Sequence, residues 1–421
     1  AASVYCDGLE EFHVNRKAPA QGTPFLTHKK SDDDEGNEER PKQKPKVNGV
    51  TIVMIDAVSR QEVVRSMPEM TKWLRAAARS SDNDATPAVA EFPGFTTVGP
   101  NTIGNLNTMF AGRILDSTYT PPNRKQDSDN ALVSLLMRSS DSQQEEQKER
   151  LTYFLERNIF ALAKKRNSSM FTSYISGLCE DAPQGYWNAT NGTSSTGFGD
   201  ASRDVDVRFV TPSCHESYGV KESNFEGFNN IWRRCIGRDS VHDQLFSYLG
   251  SQTRQQMTKK KPFLQFMHML EGHEGTHTVL QQTDAAFVRF LSELQDDGYF
   301  SDGNALIVVA DHGCHMGPYW ELATAGAVER SMPMFTMLLP GDVAAAHDAE
   351  LKANRDKLVN AFDVYGTVLD LLGADDAPKF PGLLGAISVR SLLKNLGERK
   401  TCESAGSPRE YCALTDVCQY P

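Results

Sequence analysis

Four extended runs in this chain lead into side chains that can hold a divalent metal or attack an electrophile. GVTIVMI (Gly49–Ile55) ends on Asp56, and FLQFMHML (263–270) runs into EGHEGTH, which carries His273. ALIVVA (305–310) stops on Asp311-His312-Gly313, followed by His315. The segment 91–98 leads into GPNTIGNLNTMFAGR, with Thr102 opening a helical pattern and Asn101 beside it as a candidate substrate contact. Asp and His are ligands for a borderline-hard divalent ion such as zinc. Two carboxylates, two or three imidazoles and a hydroxyl on one sheet edge suit one or two metals. A threonine hydroxyl is a weak nucleophile unless a metal activates it. At a helix N-terminus the dipole and free N–H groups favour the negative charge it would carry. The chemistry this set suits is attack on phosphorus or sulfur.

These residues need a framework that brings strand ends together. Residues 305–310 are β-branched and apolar without alternation, which predicts a strand buried on both faces of a parallel sheet. Ligands of such sheets sit at the carboxyl ends of the strands. After Asp56, residues Met70, Trp73, Leu74 and Ala77 recur at helical spacing, so strand, loop and helix make the first unit of a doubly wound α/β fold. Thr102 is the expected N-cap of a helix over 103–111, and Gly112 its stop. Further strands are predicted at 169–176 and 334–339, and further helices at 151–165, 241–249, 284–296 and 360–372. Arg60 and Arg65 on the first helix either steady a phosphate or form surface ion pairs. His268, inside an apolar strand, is expected to be a satisfied core histidine.

The division expected is a polar arm at 1–48, an α/β unit at 49–375 and a small cap at 376–421. The α/β unit carries polar insertions at 114–150 and 182–230. The cap has three of the chain's eight cysteines, so it is expected to be disulfide-pinned. No cysteine pair has CxxC spacing, and an even number spread over loop-like segments fits disulfides in an oxidising compartment. Cys314 is expected to be disulfide-bonded. Sequons at Asn167, Asn188 and Asn191 point the same way. The expectation is a secreted, cell-surface or lumenal protein, with any membrane anchor lying outside the 421 residues. A net charge of −11 disfavours nucleic acid and anionic membrane surfaces as partners.

The order Asp56, Thr102, His-bearing loop, Asp311-His312-Gly313 resembles the alkaline phosphatase and sulfatase superfamily. DAVSRQEVVRSMP (56–68), VGPNTIGNLNTMFAG (98–112) and RKTCESAGSPREYC (399–412) are similar to its sulfatase-like domain of unknown function in animals and protists. TIGNLNTMFAG (102–112) and HMLEGHEG (268–275) also resemble the nucleophile segment and histidine loop of phosphoethanolamine transferases. The resemblance implies an alkaline phosphatase-like sheet with helices on both faces. It implies zinc held by Asp56, Asp311 and His312, with Thr102 as fourth ligand and nucleophile. His273 would bind a second metal or the transferred group, and His315 or His277 would supply the further histidine. The substrate implied is a phosphorylated glycan or lipid. The sequence departs from the two-metal pattern at Met269, where an acidic residue is usual, although Glu271 and Glu274 are near. It departs from true sulfatases at 102–106, which lack the Cys/Ser, Pro and Arg of the formylglycine motif. The alternative reading is a catalytically inactive extracellular protein that uses the fold to bind a glycan or protein partner.

Overall fold

In the computed structural model the described residues are 47–79, 86–112, 153, 156–179, 204–214, 225–226, 230–231, 235–236, 239–374, 389–398, 401–408 and 411–412. Residues 1–46 of the arm expected at 1–48, the insertion at 114–150, the sequons at Asn188 and Asn191, and residues 413–421 lie outside them.

The main sheet has seven strands: β1 (Gly49–Ile55), β2 (Ala88–Glu91), β3 (Phe171–Ser176), β4 (Val207–Val210), β5 (Phe263–Met269), β6 (Asn304–Val309) and β7 (Phe335–Leu339). Their order is β2-β7-β6-β1-β5-β3-β4. Strands β6, β1, β5, β3 and β4 are mutually parallel, while β7 is antiparallel to both β6 and β2. The largely apolar composition of β1, β5 and β6, β-branched in β1 and β6, is that of strands covered on both faces, and every residue in all three is buried.

Two apolar layers sandwich the sheet. One face packs Val53, Ile55, Met267 and Val308 against α1 (Arg60–Ser66), α2 (Pro68–Ala77), α5 (Val241–Thr258) and α6 (Thr278–Asp296). The other packs Val50, Ile52, Phe266 and Ile307 against α3 (Thr102–Ala111), α4 (Ile159–Arg166) and α11 (Ala361–Leu371). Between β6 and α11 the chain adds α7 (Pro318–Leu322), α8 (Thr324–Ser331), α9 (Gly341–Ala346) and α10 (Asp348–Asn354). The doubly wound, mostly parallel sheet is therefore as expected. A Cys402–Cys412 disulfide pins the C-terminal segment beside Leu358 and Ala405, and a second disulfide joins Cys179 to Cys214. Among the described residues, no helix is long and apolar enough to cross a membrane.

Local expectations fail in two places. The strand near residue 91 is Ala88–Glu91, and 92–98 is a loop. AVAE has little strand propensity of its own, and antiparallel pairing with β7 defines it. Part of the stretch expected as an insertion, Val207–Val210, is built into the sheet beside β3.

Candidate active site

The parallel register sets the two carboxylates side by side. Met54 pairs with Val309, so Asp56 and Asp311, two residues further on, leave the sheet at the same level. One oxygen of Asp311, Oδ1, accepts from the Ala57 N–H at 3.2 Å and the His312 N–H at 2.9 Å. Ala57 sits at φ 60, the left-handed region that costs a non-glycine residue about 1 kcal/mol or more, and so turns its N–H toward Asp311. A Cβ on Gly272 would collide with the Val58 side chain and the Asp56 carbonyl, so the histidine loop can lie directly against the end of β1.

The second oxygens of both carboxylates face the same point. Asp56 Oδ1 and Asp311 Oδ2 are buried and make no hydrogen bond among the described residues. They lie 3.7 Å and 3.3 Å from His312 Nε2, and Thr102 Oγ1 lies 3.3 Å from that same nitrogen. His312 Nδ1 donates to the Gly313 carbonyl at 2.8 Å, which turns Nε2 toward the carboxylates. Ligand atoms of Asp56, Asp311 and His312 all lie within 4.8 Å of one another. Bare carboxylate oxygens buried together carry a desolvation and repulsion cost that a divalent cation offsets. This oxygen and imidazole set fits zinc.

The other Asp56 oxygen, Oδ2, is 3.2 Å from Nε2 of the fully buried His268. Burial pushes the Asp56 carboxyl up, but His273, His268 and His312 outweigh it and hold the group well below the usual carboxylate range. The rings of His273 and His315 complete the half-buried open side, with centroids 6.3 Å and 4.8 Å from His312 and 5.1 Å from each other. Burial, with His312, His273 and Arg330 nearby, pushes His315 down to about 2, so its imidazole is neutral.

Thr102 is positioned by its neighbours. The N-cap of α3 is Asn101, which is extended and accepts from the Gly104 N–H at 3.4 Å; Thr102 is the first helical residue. This corrects the expected cap and leaves the Thr102 hydroxyl directed at His312. It also gives Asn101 a structural contact. The buried Asn105 knots the approach to the helix: Oδ1 accepts from Val98 at 2.8 Å and Gly99 at 3.2 Å, and Nδ2 donates to Gly99 at 3.0 Å and Asn101 at 2.8 Å. Arg330 Nη2 donates to the Pro100 carbonyl at 3.1 Å. Sequence reading singled out neither Asn105 nor Arg330. An asparagine at the fourth position of a helix following a Gly-Pro-Asn-Thr loop is the signal that was available for the first.

Other candidates fall elsewhere. His277 Nδ1 lies 2.9 Å from Glu62 Oε1 and its ring is 4.8 Å from Trp320, so it joins α1 to the loop before α6. Cys314 is a buried free thiol, contrary to the disulfide expected. Arg60 lines a cavity beside Glu91 and Arg355. Glu271 Oε1 faces His242 at 3.7 Å, and Glu274 Oε1 accepts from the Thr276 N–H at 3.0 Å. Asn167 Oδ1 accepts from Ser169 of its own sequon.

The family model described as "Protein of unknown function (DUF229)" matches residues 11–419. No curated protein matches the chain. Among solved structures, the chain is similar to a protein in the alkaline phosphatase superfamily from Vibrio parahaemolyticus: TM-score 0.48, 15% identity, 86% of this chain and 72% of that one. It is also similar to the C-terminal periplasmic domain of EcEptC from Escherichia coli, in complex with Zn: TM-score 0.45, 12% identity, 85% and 89%. A third is the lipoteichoic acid synthase LtaP from Listeria monocytogenes: TM-score 0.44, 11% identity, 82% and 75%.

Proposed function

We propose that this chain, which belongs to the family described as Protein of unknown function (DUF229), is an extracytoplasmic, zinc-dependent phosphoryl-transfer enzyme with Thr102 as nucleophile. One observation carries the reading: two buried carboxylate oxygens without hydrogen-bond partners among the described residues, Nε2 of His312 and the Thr102 hydroxyl face one point. Asp56, Asp311 and His312 would hold the metal there. When bound, it supplies positive charge against the attacking oxygen and the non-bridging phosphoryl oxygens.

The chain's own residues do the rest. Asn105 and Asn101 fix the loop so that Thr102 Oγ stands at the N-terminus of α3, whose free N–H groups favour negative charge. Attack by this oxygen forms the O–P bond of a phosphothreonine as the bond to the alcohol breaks, and the threonine proton leaves with that alcohol. Water or an acceptor hydroxyl then cleaves the phosphothreonine. His273 and His315 line the half-buried side, where they would contact the transferred group or a second cation. A phosphodiester of a glycan or lipid is the proposed substrate class, supported by the similarity of residues 102–112 and 268–275 to phosphoethanolamine transferases. The proposed catalytic unit is 49–375. Two disulfides and the sequons support an oxidising compartment.

The test is metal content by mass spectrometry, followed by turnover of a chromogenic phosphodiester. Near-stoichiometric zinc is expected in the parent and its loss in Asp311→Ala. Thr102→Ala should keep the metal and lose turnover. Absence of metal after incubation with zinc, or full activity in Thr102→Ala, refutes the proposal.

A further inference from the structure

A cavity of about 200 Å³ opens on the same edge of the sheet, on its β2 side. Four lining side chains are charged: Arg60 at the start of α1, Arg75 on α2, Arg355 just after α10, and Glu91 at the end of β2. Three guanidinium groups and one carboxylate thus line the cavity, on a chain whose net charge is −11. The remaining wall is largely apolar, from Val63, Leu74, Val89, Phe92 and Met334. Thr71 adds a buried hydroxyl that makes no hydrogen bond among the described residues. A water needs about 10–15 Å³ of such space, so the cavity has room for a polyatomic ion with its water.

We propose that this cavity is a second, non-catalytic subsite that binds a tetrahedral oxyanion, a phosphate or sulfate group carried on a larger substrate. The inference does not depend on the metal reading. Planar guanidinium forks match tetrahedral oxyanions in paired hydrogen bonds and are more weakly hydrated than ammonium groups, so they bind such anions well in partly buried sites. Like charges held beside apolar walls repel, and an anion between them removes that cost. The balance is visible at Arg60: burial pulls its pKa down, Glu91 pulls it up, and Arg355 pulls it down again, leaving it below its ordinary value. The Arg60 backbone is fixed, its N–H donating to the Met332 carbonyl at 3.1 Å beside the Ser59–Pro333 bridge. Asp56 and Arg60 stand four residues apart on one continuous loop-to-helix segment. The ligand class this cavity would take is therefore an oxyanion on a substrate that carries a second anionic group.

The experiment is calorimetric titration of inorganic phosphate and of sulfate into the full chain carrying Asp311→Asn, kept free of added metal, so that one candidate metal-ligand carboxylate is neutralised. Chloride at equal ionic strength is the control. Saturable one-to-one binding is expected, weakened about tenfold or more by Arg355→Gln, since one charge-assisted pair is worth that much. Arg75 is exposed at the rim, so Arg75→Gln keeps the test usable if Arg355→Gln fails to fold. Glu91→Gln removes the one carboxylate among the described lining residues and is expected to tighten binding severalfold, a gain that misfolding does not produce. Glucose 6-phosphate and glycerol 3-phosphate, titrated in parallel, separate a sugar-borne from a headgroup-borne oxyanion. No saturable binding in the Asp311→Asn protein, or equal affinity in the arginine variants, overturns the proposal. Zinc binding by the parent is unaffected by either result.

Discussion

Replacing His277 with Gln removes a buried ion pair and should make stability depend on pH in a defined window. His277 and Glu62 are 2.9 Å apart with side chains only 4% and 6% exposed. Burial pulls the imidazole down, but Cys314 and Glu62 more than offset it and raise it to about 9. Glu62 is pushed up by burial and pulled down further by His277, Ser66 and Arg65, to about 2. The rise from 6.5 to about 9 corresponds to about 3 kcal/mol, at about 1.4 kcal/mol per pH unit. The same contact lowers Glu62, so it is counted once. For the histidine, the contribution is complete below 6.5 and is lost as pH rises through about 9. For the carboxylate, it is complete above 4.5 and is lost as pH falls through about 2. Urea unfolding of parent and His277→Gln near pH 6 should show a gap of about 3 kcal/mol that closes toward pH 10. A gap of the same size at both ends would mean that His277 acts as a neutral packing group, and the charge argument would be wrong.

Two further outcomes follow from the loops that carry the site. Asn105→Ala removes four hydrogen bonds that hold 98–101, and should cost about 3 kcal/mol by urea unfolding and slow turnover through a misplaced Thr102. Gly313→Ala puts a Cβ into the Glu329 carbonyl and so displaces the loop bearing His312; zinc affinity, measured by chelator competition, should fall about tenfold or more.

Much of this arrangement was legible because it is written in strand ends. Buried runs stop on Asp56 and Asp311, and once two such strands pair in parallel register their terminal carboxylates must meet. What stayed hidden depends on contacts between distant segments. His277 and Glu62 are 215 residues apart, and nothing local marks them as partners. Asn101 and Thr102 are both good caps by type, and backbone geometry alone separates cap from first helical residue. Cys314 was assigned a disulfide from compartment chemistry, whereas burial against His277 keeps it apart from the other described cysteines. The Arg60 cavity arises where α1, α2, β2 and Arg355 converge, which no single stretch of sequence encodes.

The N–H of Ala57 and the carboxylate that receives it are separated by 254 residues. At a synthesis rate of roughly 5–20 residues per second, the first central strand leaves the ribosome about 13–50 s before its partner exists. Through that interval β1 has an unpaired edge, and Asp56 lacks both Asp311 and His312. The candidate metal site is therefore incomplete until β6 closes the longest loop in the sheet. A nascent chain stopped before residue 304 would hold β5 but neither Asp311 nor His312, and so would expose the edge of β1 that β6 later covers.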